Sequence, residues 1–193
     1  MDETRLRALA ADSAAVQERF FAQHAGLVLA VGRRMSECLK GGHKVLAFGN
    51  GGSAADAQHL AAELVGRYLY DRPGLPALAL TTDTSALTAI GNDMGYDSIF
   101  RRQVEAHGLK GDVAIGITTS GRSRNVVDAL RVARERGLTT IALTGGGGGV
   151  LKDAVDYLVD APSTDTPRIQ ELHGLVIHLL CQIVEETLFP RSA

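Results

Sequence analysis

The 193-residue chain contains no tryptophan and two cysteines, Cys38 and Cys181. Two isolated thiols without metal-type spacing exclude a disulfide-stapled fold and a cysteine-based zinc site, and they read as buried thiols of a reducing cytoplasm. Long apolar runs are also missing: none approaches the roughly 20 residues that a membrane span requires. The opening MDETRLRALAADS is polar and acidic, which predicts no signal peptide. Nor is there an excess of one charge, because 20 Lys and Arg stand against 22 Asp and Glu for a formal net charge of −2. Such a balance leaves no basic footprint for nucleic acid, so neither nucleic acid nor membrane is an expected partner. Glycine, by contrast, is plentiful at 22 residues. That suits an α/β protein with tight strand-to-helix turns, in a chain of a length that buries one good-sized core.

The most informative stretch is GNGGSAADAQHLAAELVGR, from Gly49 to Arg67. It follows Lys44 to Phe48, a short β-prone run apolar enough to be buried on both faces, as strands of a parallel sheet are. Gly49, Gly51 and Gly52 allow a sharp turn, and Ser53, before an alanine-rich run, is expected to be a helix N-cap. Free N–H groups and the positive end of a helix dipole make such a loop an anion site. His59 and Glu63, four residues apart, share a face of the same helix and form a candidate acid/base or metal-binding pair. Two plainer readings stay open. Gly49, Gly51 and Ala54 satisfy a relaxed dinucleotide pattern with Asp71 or Asp83 downstream, and His59 with Glu63 taken alone is an ordinary helix-surface pair.

Around this stretch the pattern is regular. Apolar residues recur at near-helical spacing from Thr4 to Lys40, predicting one long helix or two in succession that end at Gly41-Gly42 and have apolar residues to spare for another subunit. Asp71 to Gly74 is a turn and Ala77 to Leu80 a second strand. Ser85 to Ile90 reads as a short helix ended by Gly91, with Asn92 and Asp93 between it and a further helix, where Asp93 reads as a cap. Asp112 to Thr118 is a third strand, leading into Thr118, Thr119, Ser120, Gly121, Arg122 and Ser123. These hydroxyls before a helix repeat the logic of the first loop and suit a phosphate; Arg122 and Arg124 either add charge or face solvent. Thr139 to Leu143 and Tyr157 to Val159 are further strands, Gly145 to Gly149 is irregular, and Pro167 is placed to start a last helix to about Leu188. The expectation is an α/β fold with a five-stranded parallel sheet and helices on both faces, flavodoxin-like, within one domain. Residues 1–42 form an N-terminal helical extension and 43–189 the α/β sandwich, with ligands at the C-terminal ends of the strands.

In the last helix, Gln170, Glu171, His173 and His178 are the polar residues of interest, His173 reading as structural. Spacing alone pairs Glu171 with His178, seven apart, sooner than Gln170, which is eight apart and about 80° round the helix.

GNGGSAADAQHLAAELVGRY, followed by RPG, GND, TTSGRS and PRIQELH, resembles the phosphoheptose isomerases of the sugar-isomerase (SIS) fold over nearly the whole chain, to about Phe189. The resemblance implies conversion of sedoheptulose 7-phosphate to D-glycero-D-manno-heptose 7-phosphate through an enediol, supplying bacterial surface heptose. It implies Glu63 as the base at carbon and His178 at the oxygens. Asn50, Gly51, Gly52, Ser53, Arg67, Asn92, Asp93, Thr118, Thr119, Ser120, Ser123 and Gln170 match substrate-binding positions. His59, Glu63, Gln170 and His178 match a metal site, expected to hold one zinc per subunit, and the assembly implied is a homo-oligomer, a tetramer. Where some members carry an acidic residue the chain has Pro167, with Asp165 two residues earlier. A non-enzymatic relative that binds the replication initiator DnaA shares the glycine loop and the RIQE-H segment but lacks the counterparts of Glu63 and His178, and is the alternative.

Overall fold

A computed structural model describes residues 1–191; the last two residues of the expected 1–193 span lie outside the described residues. Among the described residues are strands β1 (Val45–Gly49), β2 (Ala77–Ala79), β3 (Val113–Ile117), β4 (Thr139–Gly145) and β5 (Tyr157–Ala161). The helices are α1 (Glu3–Lys40), α2 (Gly52–Val65), α3 (Thr84–Met94), α4 (Ile99–His107), α5 (Arg124–Glu135) and α6 (Thr166–Leu188). Every strand pairing is parallel, in the order β2-β1-β3-β4-β5. This is the doubly wound flavodoxin-like order, whose switch point lies between β1 and β3.

β1 (VLAFG) and β3 (VAIGI) are buried at every position because helices cover both faces, which is why they read as unbroken apolar runs rather than alternations. On one face α1, α2 and α6 bury Phe20, Met35, Leu60, Leu64, Leu172 and Val176. On the other, α3, α4 and α5 bury Phe48, Phe100, Val104, Val126 and Leu130, with the Phe48 and Phe100 rings stacked at 5.4 Å. Helix α1 is a single element of 38 residues, about 57 Å long at 1.5 Å per residue. Its N-cap Asp2 accepts from the Arg5 backbone N–H. It packs along α6 from Leu9, whose carbonyl accepts from Arg168 at 2.8 Å, to Gly32 beside Ile183, and the Leu6, Leu9 and Leu29 side chains stay exposed. No helix among the described residues is long and apolar enough to cross a membrane.

Two local expectations are corrected. Helix α2 starts at Gly52, and its N-cap is Gly51 at φ 56°, a conformation that serine rarely adopts; Ser53 is already inside the first turn and caps nothing. Helix α3 continues through Gly91 and stops at Gly95, φ 83°, so Asn92 and Asp93 lie in its last turn rather than in a loop. A glycine inside a helix costs only about 1 kcal/mol, whereas one at positive φ ends it. Asp93 is therefore no cap; Asp83 is, accepting from the Ala86 N–H at 2.9 Å.

Opposite the loop edge, Asp112 is 1% exposed and ties the N-terminal ends of β1 and β3. It accepts from Lys44 Nζ at 2.6 Å, from the Lys44 N–H at 3.0 Å and from the Leu109 N–H at 2.9 Å. Burial alone raises its pKa, but the Lys44 and Leu109 donors outweigh burial and hold the carboxyl below the ordinary 3.8. A folded-state pKa below the unfolded one gives stability that is complete above about pH 4 and lost as the pH falls through the lowered value. Asp112→Asn is expected to cost about 2 kcal/mol at pH 7, the scale of a charged hydrogen bond. In urea titrations at pH 7 and pH 3 the gap from wild type should narrow at the lower pH; an equal gap at both would show that ionisation of Asp112 is not what stabilises the fold.

Candidate active site

The loops after β1 and β3 meet at the switch point. A Cβ on Gly49 would lie 2.8 Å from both the Ile117 carbonyl and Ser53 Cβ, so only glycine lets the strands and α2 close this tightly. Asn50 and Asn125 exchange two side-chain hydrogen bonds of 2.9 Å, and the Tyr96 hydroxyl donates a third, also 2.9 Å, to Asn50 Oδ1. The amide of Asn50 is thereby engaged in joining the two loops. Ser53 is 4% exposed at the first turn of α2. In the second loop the Thr118 and Ser123 hydroxyls are 2.9 Å apart, Ser120 Oγ accepts from the Arg122 N–H at 3.2 Å, and Thr119 is half-buried. Arg122 is exposed, and Arg124 lies 3.6 Å from Asp97. The N-termini of α2 and α5 thus converge with several hydroxyls on one place, a site with the chemistry to hold a phosphate.

Helices α2 and α6 lie alongside each other with the same polarity, and polar residues follow the seam. On α2 the series Gly52, Asp56, His59 and Glu63 forms one face. At its head the Gln170 amide fills the space a Cβ on Gly52 would need. Further along, His59 Nε2 lies 3.2 Å from Glu63 Oε1 and 3.3 Å from His178 Nε2, with the two rings edge-on at 4.9 Å. The ligating atoms of His59, Glu63 and His178 all lie within 4.8 Å of one another. Two imidazoles and a carboxylate are a donor set that zinc accepts, so these residues fit a divalent metal.

The structure brings His59, Glu63 and His178 together and does not bring Gln170 to them: eight residues before His178, it stands about 12 Å back along α6, at the glycine loop. Glu171, favoured by spacing, instead pairs with Arg168 at 2.6 Å. His173 is fully buried with Nε2 3.0 Å from the Thr144 carbonyl, and burial pushes its pKa down to about 4, so it is a neutral core residue. Arg67 is 61% exposed, 3.9 Å from Asp71. Asn92 and Asp93 are exposed and bonded to each other at 2.8 Å, next to Gly91, which lines a cleft of about 370 Å³ with Gly51, Thr81, Tyr96 and Phe100. That cleft borders the glycine loop but includes none of the three clustered ligands. Asp165 is exposed at the N-cap of α6, where its side chain makes no capping bond.

Sequence reasoning misses several residues here. Asp56 sits on the seam between Gly52 and His59; burial raises its pKa against the opposing influence of His59, and Oδ2 is buried without a partner. Asn125 and Tyr96 bind Asn50 from elements far away in the chain, and the Tyr68 ring lies 5.7 Å from that of His178. Arg72 and Glu185 form a buried ion pair at the end of the seam. No local pattern marks any of them, since each gains its meaning from a partner 46 to 117 residues away or from burial.

A parallel sheet with two loops suited to anions at its switch point is the frame of the SIS class, and the family model for the SIS domain matches residues 9–145. The phosphoheptose isomerase of Geobacter sulfurreducens is 60% identical over 166 residues, covering 86% of this chain and 88% of its own. Among solved structures, the phosphoheptose isomerase from Neisseria gonorrhoeae superposes with a TM-score of 0.88 at 46% identity, over 95% of this chain and 98% of its own. The one from Francisella tularensis gives 0.92 at 36% identity, over 96% and 100%. The chain belongs to the phosphoheptose isomerase family of SIS-domain proteins.

The two loops predict opposite responses to alanine. At Gly52 the obstacle is the flexible end of Gln170, so Gly52→Ala should fold within about 1 kcal/mol of wild type while displacing the amide and weakening inorganic phosphate binding. At Gly121, φ is 63° and a Cβ would run into the Gly148 carbonyl, so Gly121→Ala should lose more than about 2 kcal/mol. Urea titration with phosphate calorimetry checks both; similar stabilities would refute the distinction.

Proposed function

We propose that the chain is a ketose-aldose isomerase that converts sedoheptulose 7-phosphate to D-glycero-D-manno-heptose 7-phosphate. The observation that carries this reading is the clustering of Glu63, His59 and His178 on the seam that begins at the phosphate loop. His59 stands about 10 Å along α2 from Gly52, about the length of an extended heptose 7-phosphate, and the Glu63 carboxylate leans back to 3.2 Å from it. A phosphate at the loops and a carbonyl at the cluster are then the two ends of one extended sugar.

In this reading the N–H groups at the starts of α2 and α5, with Ser53, Thr118, Thr119, Ser120 and Ser123, hold the phosphate. Asn50, Gly51 and Gly52 shape its cradle, and Gln170, Arg67, Asn92 and Asp93 serve the sugar. The Glu63 carboxylate takes a proton from C1, leaving an enediolate across C1 and C2 with its charge at O2. His178 moves a proton from O1 to O2, and Glu63 returns its proton to C2, giving the aldehyde at C1. Zinc, one per subunit, fits His59, Glu63 and His178, whereas Gln170, held at Gly52, serves the substrate. When bound it supplies Lewis acidity toward the carbonyl. The chain is read as one SIS domain with α1 as an extension, working in the cytoplasm as a homotetramer. The exposed Leu6, Leu9 and Leu29 on α1 support a subunit contact there.

Glu63→Gln keeps shape and removes basicity, so turnover of sedoheptulose 7-phosphate, followed by NMR, should fall by about 10²-fold or more with the fold intact. Turnover near wild type would exclude Glu63 as the base. Elemental analysis should find about one metal per chain, and chelation should lower activity; full activity in verifiably metal-free protein would restrict the metal to a structural role. Light scattering should give four chains per particle, and a fully active monomer would refute the tetramer.

A further inference from the structure

We infer that the buried Arg72 and Glu185 pair positions Glu63 against His178, an inference that rests on the acid/base reading above. Their side chains are 2% and 1% exposed, and Arg72 Nε donates to Glu185 Oε1 at 3.0 Å. The rest of the guanidinium closes the end of α2: Nη2 donates to the Glu63 carbonyl at 2.7 Å, and Nη1 to the carbonyls of Leu64 at 2.8 Å and Pro73 at 3.0 Å. The two that lie in the last turn of α2 have no partner within the helix, and a cation suits the negative end of its dipole. One of them belongs to Glu63 itself.

Glu185 completes the link from the other side. It stands two turns beyond His178 on α6, and its oxygens accept from the N–H groups of Tyr68 at 3.1 Å and Leu69 at 2.7 Å. Burial raises its pKa, but the Leu69 and Tyr68 N–H groups and Arg72 outweigh burial and keep the carboxylate ionised. Holding this segment places the Tyr68 ring 5.7 Å from the His178 ring. A single hydrogen-bonded network therefore grips the backbone of Glu63, the helix that carries His178 and the ring beside it. A buried ion pair is a weak source of net stability because desolvation offsets its attraction. The planar, multiply donating guanidinium is instead well suited to setting the relative position of the parts it joins.

The test uses Glu185→Gln, Arg72→Lys and the double variant Arg72→Met, Glu185→Leu. For each, kcat and KM for sedoheptulose 7-phosphate, zinc affinity by chelator competition and inorganic phosphate affinity are measured, with circular dichroism for the fold. A displacement of the pair should lower kcat by about 10- to 100-fold. Zinc binding should weaken by about 10-fold or more in the two ion-pair variants. KM and phosphate affinity should stay within about twofold, because the phosphate loops lie at the other end of α2. Wild-type kcat and zinc affinity in a folded Glu185→Gln or Arg72→Lys protein would overturn the inference. So would a parallel loss of kcat, KM and phosphate affinity, which marks general loosening. Should neither single variant fold, the double variant, which leaves no unpaired buried charge, decides: a fall in kcat and zinc affinity with phosphate affinity kept supports the inference, and wild-type kcat and zinc affinity overturn it. If wild type itself does not turn over sedoheptulose 7-phosphate, the isomerase reading fails, and zinc affinity still tells whether the pair sets the geometry of the cluster.

Discussion

Helices α2 and α6 pack side by side with the same polarity, and the rest of the site depends on that contact. Were they antiparallel, Gln170 would not meet Gly52 while His178 meets His59. The polarity follows from the sheet: β1 feeds α2 and β5 feeds α6, both strands run the same way, and both helices return over the same face. A doubly wound sheet therefore supplies two helix N-termini and two parallel helix faces at one edge, which is what an anion site and a paired acid and base require.

The polar groups inside this frame are placed by satisfying them. Asn50 and Asn125 use each other's amides to join two loops, and Asp112 ties two strand ends at the opposite edge. His173 Nε2 donates to the Thr144 carbonyl, and the ring stays neutral with Nδ1 unpaired. An unpaired buried polar group costs about 1 to 3 kcal/mol, so such pairs narrow the arrangements open to the chain more than they add stability. Asp56 Oδ2 is an exception on the seam, buried and without a partner.

The elements of the fold were largely legible. β1 and β3 are short apolar runs, the first closed by glycine and the second by hydroxyl residues, and α6 has Pro167 in its first turn and Pro190 after its end. Such signals are local, since a strand buried on both faces and a helix that starts on proline are written in adjacent residues. The two misjudged boundaries that bear on the site fall at glycines. Gly51 and Gly91 each permit more than one backbone path, and packing chooses among them, so Ser53 lost its expected cap and Asp93 its expected loop.

By itself the sequence determined the alternation of strands and helices, the two anion loops, and the sharing of one helix face by His59 and Glu63, because each depends on spacing within a few residues. Only tertiary structure decided that Gln170 rather than Glu171 faces α2, that His178 completes the cluster, and that Arg72 reaches both Glu185 and the carbonyl of Glu63. Those contacts join residues up to 119 positions apart. Their geometry is set by how α2, α6 and the turn after α2 close on one another, and helical periodicity within one element carries no information about which face of another it will meet.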